Sequence, residues 1–141
     1  MTNNFANRQF LPSMSELIDR LSVTQIKINT LDSDPIDFIK EVDKIKNDID
    51  LIISEKNLKF SSELVVSIVL ISQLNLHIWN NKDEMQLNLN NEETYLALLK
   101  RAHQFNGYRN QIKNRILELE GIQDRSQMRS NFETDGLTWR I

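Results

Sequence analysis

Residues 75–115, NLHIWNNKDEMQLNLNNEETYLALLKRAHQFNGYRNQIKNR, contain the end of one long helix, an Asn-rich turn and most of a second helix. The second helix carries apolar residues every three or four positions, the spacing of one face of an α-helix. These residues are Tyr95, Leu98, Ala102, Phe105, Ile112, Ile116 and Leu119. Arg109 interrupts the series, with Asn106 and Asn110 beside it at helical spacing. The stretch predicts a helical hairpin with polar side chains on a face that is otherwise apolar.

Helix start and stop signals divide the rest of the chain. Ser13 and Glu16 form a Ser-x-x-Glu capping box, which satisfies free backbone N–H groups at a helix start. Pro35 suits the first position of a helix, Asn91 suits an N-cap, and Gly121 suits a left-handed C-cap. We predict an all-α protein, an up-down-up-down bundle of four main helices over about residues 14–31, 35–56, 62–86 and 92–120.

The chain has the length of one domain. Residues 1–12 are polar and aperiodic and are interpreted as an N-terminal arm, residues 13–121 as the bundle, and residues 122–141 as an irregular C-terminal tail. Residues 64–79 are apolar nearly all round, so the third helix is expected to be the most buried.

Composition excludes several classes of function. The chain has no cysteine, which excludes disulfides, thiol catalysis and Cys-ligated zinc. A net charge of −3 without a basic block argues against nucleic-acid binding. The N-terminus does not resemble a signal peptide, and the apolar run 64–76 is too short and too polar for a membrane span. We expect a cytoplasmic protein without a membrane partner or a cofactor.

The helical register brings one set of polar residues together. If the third and fourth helices run antiparallel about Leu89, and the first helix runs parallel to the third, Asp19 lies near the level of Arg109. We therefore predict that Asp19 or Glu16 is the acid that pairs with Arg109. The candidate site residues are Glu16, Asp19, Asn75, Asn106, Arg109, Asn110 and Lys113.

Two interpretations of this cluster remain open. In the structural one, Arg109 and Asp19 form a buried ion pair. A shift of one helix along another would leave a buried charge without its partner, so the pair fixes the helix register. In the functional one, Arg109, Asn106, Asn110 and Lys113 donate hydrogen bonds to a phosphate or carboxylate, and Glu16 and Asp19 hold a hydroxyl group or a divalent ion. The sequence favours the structural interpretation.

Other polar residues point less clearly to a site. Asp83 and Glu84, with Glu92 and Glu93 across the turn, suit the solvated ends of two helices. His77 and His103 have no third metal ligand at a suitable spacing and no nucleophile beside them. Glu16-x-x-Asp19 resembles half of the paired carboxylates of all-α nucleotide pyrophosphohydrolases, but no later helix carries a matching E-x-x-E. We assign no catalytic residue and no metal ligand.

Three segments resemble small bacterial domains of unknown function. Those domains open with E-L-I-D-[KR]-[LI]-[ST] and carry later N-x-x-[IL]-W-x-x-x-D-[ED] and N-x-x-R-x-x-[IL]-K helices. The matching residues here are 16–22, then Asn75, Ile78, Trp79, Asp83 and Glu84, then Asn106, Arg109, Ile112 and Lys113. Such domains are often encoded beside, or fused to, glycosyltransferases of surface polysaccharides.

The resemblance implies an accessory domain of surface-glycan metabolism, such as lipopolysaccharide or capsule assembly. In that prediction the polar cluster binds an anionic ligand, a sugar phosphate or a nucleotide sugar. The alternative is a structural or protein-interaction module that engages a partner through Phe132 and Trp139 of the tail, or forms a homo-oligomer. A metal-dependent pyrophosphohydrolase that uses Glu16 and Asp19 is the third hypothesis.

Overall fold

The computed structural model describes residues 10–121, and these residues form four α-helices. The helices are α1 (Met14–Thr30), α2 (Ile36–Lys56), α3 (Ser62–Leu87) and α4 (Glu92–Glu120). The predicted all-α bundle is confirmed. The predictions for the first nine residues of the arm, and for the tail with Phe132 and Trp139, lie outside the described residues.

The helix ends follow the capping chemistry of the sequence. The side chains of Ser13, Ser61 and Asn91 each accept a hydrogen bond, 3.2 Å long, from the backbone N–H three residues ahead. α2 begins at Ile36, one residue later than predicted, so Pro35 occupies its N-cap position. The Asp34 carboxylate accepts from the Ile36 N–H at 3.1 Å. Local hydrogen bonding therefore determines where the helices begin.

The four helices share the packing unequally. α1 contacts each of the other three helices, α3 and α4 pack on each other, and α2 packs mainly on α1. The central core contains only residues of α1, α3 and α4: Met14, Ile18, Ile71, Leu74, Phe105, Tyr108, Ile112 and Ile116. The only buried residue of α2 is Ile45. The bundle is thus a three-helix core with α2 attached to its side.

The α3–α4 hairpin has the predicted antiparallel register. The Asn81 side-chain amide donates to the Leu98 carbonyl at 3.0 Å, and the rings of His77 and Phe105 lie 6.0 Å apart. In each pair, the residue of α3 and the residue of α4 lie at about the same distance from the turn. This register brings the polar residues of α3 and α4 to the side where α1 packs.

The expectation that α3 is the most buried helix is wrong. Five of its 26 residues are buried, against six of the 17 residues of α1. Val66, Val69 and Leu76 of α3 lie on the side of the helix opposite the buried Ile71 and Leu74, and this outward side stays in solvent. α3 is also longer than the apolar run 64–76, and by length and composition it meets the criteria for a membrane span, which core helices of soluble proteins also meet.

Candidate functional site

Asp19 joins the three core helices. Its Oδ2 accepts from the Lys113 Nζ of α4 at 3.1 Å, and its Oδ1 accepts from the Asn75 Nδ2 of α3 at 2.9 Å. The Lys113 and Asp19 side chains are 13% and 15% exposed, and Asn75 is buried. We call Asp19, Asn75 and Lys113 the polar layer. Because both charges are largely removed from water, each depends on the other and on the amide for its stability.

A second contact fixes α1 against α4 at the same place. The hydroxyl of Ser15, which is fully buried, donates to the Lys113 backbone carbonyl at 2.8 Å. Lys113 therefore contacts α1 through both its backbone and its side chain. A small hydroxyl residue at position 15 allows the two helices to approach closely while its polar atom keeps a partner.

The predicted pairing of Arg109 with Asp19 is wrong. Arg109 Nη2 donates to Asn106 Oδ1 within α4, and its buried Nε has no hydrogen-bond partner among the described residues. The Ser15 contact puts Asp19 near the level of Arg109, as predicted, but helical side chains point back toward the N-terminus. The long Lys113 side chain thus reaches back one turn to Asp19, while the Arg109 side chain points to an earlier level.

Five of the seven predicted site residues fall into two groups. Asp19, Asn75 and Lys113 form the polar layer, and Arg109 with Asn106 forms a pair beside it on α4. Glu16 and Asn110 are partly buried, and the backbone N–H of Glu16 donates a hydrogen bond to Ser13 Oγ. Three cavities among residues 10–121, of about 410, 360 and 150 Å³, are lined by other residues. The buried Asn75 and the largely buried Asp19 and Lys113 place the polar layer inside the bundle.

Sequence reasoning missed Glu120, the last residue of α4. Its side chain is 1% exposed, and its two oxygens accept from the Met14 backbone N–H at 3.1 and 3.0 Å. Lys56 of α2 donates to Oε1 at 3.1 Å. One signal was available: a carboxylate in the last turn is unfavourable for its own helix dipole, which suggests a partner elsewhere. Here that partner is the positive N-terminal end of α1.

A cavity of about 410 Å³ lies at this end of the bundle between α1, α3, α4 and the 57–61 connection. Its polar wall is formed by Lys56, Lys59, Ser61 and Glu120. Both Glu120 oxygens already accept hydrogen bonds, and Ser61 Oγ accepts from the Leu64 N–H. These hydrogen bonds satisfy the N-terminal ends of α1 and α3, so the polar wall has a structural role at this end of the bundle.

The remaining candidates do not form a metal centre. Within residues 10–121 no group of three or more His, Cys, Asp or Glu side chains is placed to hold a metal ion. Asp83, Glu84, Glu92 and Glu93 are all exposed. The pyrophosphohydrolase hypothesis requires converging carboxylates, and it gains no support from the described part of the chain.

Comparison of the chain with protein-family models, with curated proteins and with solved structures gives no match. The resemblance to domains encoded near surface-polysaccharide genes therefore stays a prediction.

Proposed function

We propose that this chain is a non-catalytic protein-interaction module. In this proposal the core helices and the polar layer form a rigid support, and a partner docks on the outward side of α3. We call this surface the α3 outer face, which consists of Val65, Val66, Val69, Ser72, Gln73 and Leu76.

The observation that carries the proposal is the exposure of apolar residues on α3. Val65, Val66, Val69 and Leu76 are 37%, 50%, 48% and 43% exposed, at spacings that put them on one side of the helix. Covering a half-exposed valine or leucine is worth roughly 1 kcal/mol, so the four together offer about 4 kcal/mol before the cost of association. Val65, Val66 and Val69 adjoin one another, and the polar Ser72 and Gln73 separate them from Leu76. Exposed apolar residues grouped on one side of a helix mark a candidate docking surface.

The polar layer supports the same proposal. Asp19 has a cation on one oxygen and an amide donor on the other, both from within the bundle. An ion pair closed in this way specifies how helices align, because any slip would leave a buried charge without a partner. A layer with this role contributes rigidity to a docking scaffold and needs no ligand.

One observation favours a second candidate function, the binding of an anionic ligand. Arg109 Nε and Asn75 Oδ1 are buried and lack hydrogen-bond partners among the described residues. A sugar phosphate or nucleotide sugar would supply acceptors for the arginine, which agrees with the surface-glycan role that the resemblance implies. Thermal unfolding with a panel of such ligands tests it. A midpoint raised in the wild type but not in Arg109→Met would support ligand binding, and no shift with any ligand would reject it.

Positional photo-crosslinking in cells that express the chain tests the main proposal. A photoreactive residue is placed at Val69 in one variant and at Asn47 in a matched control. Asn47 is exposed on α2, away from α3. We expect a discrete cross-linked protein species, identified by mass spectrometry, from position 69 and not from position 47. Equal labelling at the two positions would refute docking at the α3 outer face.

A further inference from the structure

We infer that the partner of the α3 outer face is a second copy of this chain, with the two α3 helices antiparallel across a two-fold axis. This inference rests on the proposed function and adds the identity and orientation of the partner. Three observations carry it: the length of the uncharged stretch, its symmetry and the charges at its ends.

The sequence of α3 from Leu64 to Asn81 contains no Asp, Glu, Lys or Arg. The midpoint of this run lies between Ser72 and Gln73. In an antiparallel pair centred there, the uncharged run of one copy lies along the whole uncharged run of the other. Val69 of one copy is then opposite Leu76 of the other. These are two of the exposed apolar residues. A two-fold pair in this register therefore brings Val69 and Leu76 together twice and places Ser72 and Gln73 at the centre, without burying a charge.

The charges that border the run select the antiparallel orientation. Asp83 and Glu84 are exposed and follow the run, so they lie beside the N-terminal end of the partner's α3, where the helix dipole is positive. Lys59, also exposed, precedes that end. A parallel pair would instead put the two acidic ends side by side. Glu63 lies five full turns from Asn81 and on the same side of the helix, the side that contacts α4, so it does not enter the interface.

The size of the face sets the strength of the dimer. Eighteen helical residues span about 27 Å, and a helix is about 10 Å wide. Two such faces bury on the order of 500 Å² in total, which is below the size of stable protein interfaces. We therefore expect a weak, reversible dimer that forms only at high protein concentration, on the order of hundreds of micromolar.

The absence of native cysteine permits a clean test with single-cysteine variants under mild oxidation. In the inferred dimer, two copies of Gln73→Cys lie within one residue of the same level and form a disulfide. Two copies of Val65→Cys lie about 22 Å apart along the helix and do not. Mixing Val65→Cys with Asn80→Cys restores cross-linking, because residues 65 and 80 lie opposite each other. A parallel dimer would give the reverse pattern for Val65→Cys alone.

Sedimentation of the purified chain gives the second readout. We expect a dimer fraction that rises with concentration and falls at least tenfold in Val69→Lys, with an unchanged helical circular dichroism spectrum. An unchanged dimer fraction in Val69→Lys, or equal cross-linking at all three cysteine positions, would overturn the inference. A purified chain that remains monomeric, while position 69 cross-links to a different protein in cells, would overturn the inference and leave the proposed function standing. A monomer that instead binds vesicles of phosphatidylglycerol through this face would overturn both.

Discussion

Replacing Glu120 by Gln tests how the bundle end is held together. The glutamine keeps the size of the side chain but has one acceptor oxygen where the glutamate has two. The Met14 N–H and the Lys56 ammonium group are both donors that face this side chain. An amide oxygen at the Oε1 position can still accept from both donors, but the NH₂ group then lies at the Oε2 position and faces the Met14 N–H, a donor against a donor. The favourable charge at the N-terminus of α1 is also lost.

The size of the effect follows from burial. Met14 is 3% exposed, so its N–H cannot turn to water when one of its two acceptor oxygens becomes an NH₂ group and the negative charge is lost, which costs about 1–3 kcal/mol. Lys56 is 38% exposed on its side chain and can be solvated, so its ion pair contributes less than about 1 kcal/mol. We expect Glu120→Gln to lower the free energy of unfolding by about 2 kcal/mol and Lys56→Met to lower it by less than about 1 kcal/mol.

Equilibrium unfolding in urea, followed by circular dichroism, measures both variants, with the exposed Glu55→Gln as the control for loss of a surface charge. The control is expected within about 0.5 kcal/mol of the wild type. If Lys56→Met costs as much as Glu120→Gln, the ion pair and not the backbone cap holds the bundle end. A cost below about 0.5 kcal/mol for Glu120→Gln would refute the capping role altogether.

Substitutions in three further parts of the fold are measured by the same unfolding assay. Gly121 has φ 77° and open space where a Cβ would be, so Gly121→Ala should cost about 1 kcal/mol from backbone strain alone, and Gly121→Asn should cost less. Lys113→Met leaves the Asp19 carboxylate without its cation and should cost about 2–3 kcal/mol, part of which Asp19→Asn should restore in the double variant. Asn81 donates to the Leu98 carbonyl but leaves its own buried oxygen without a partner, so Asn81→Leu should leave stability unchanged or raise it by up to about 1 kcal/mol. A loss of stability of more than about 1 kcal/mol would show that the amide is needed.

The fold was predictable because its signals are local. The apolar periodicity of residues 95–119 and the caps at Ser13, Asn91 and Gly121 depend on neighbours within four residues, and the structure places the helix ends within about one residue of the predictions. The antiparallel hairpin register followed from the short turn alone. These features need no knowledge of the other helices.

The site was only partly predictable because it depends on side-chain direction and on packing between distant elements. Asp19, Asn75 and Lys113 were among the candidates, but helix levels alone assign Asp19 to Arg109 rather than to Lys113. Glu120 was missed because its role requires the ends of α1, α2 and α4 to meet. The exposure of α3 was missed because the apolar periodicity of one helix does not show which of its sides the other helices cover.

The peripheral position of α2 has a consequence for the cooperativity of unfolding. The central core contains no buried residue of α2, and Ile36, Ile39, Leu51 and Ile53 of this helix are all more than 40% exposed. Detachment of α2 would break the Lys56 contact with Glu120 and would remove Ile49 and Ile52 from the side of the core. The buried residues of α1, α3 and α4 and the polar layer would keep their contacts with one another. Amide hydrogen exchange should divide the bundle into two units, with α2 exchanging through a low-energy local opening and α1, α3 and α4 exchanging only through global unfolding.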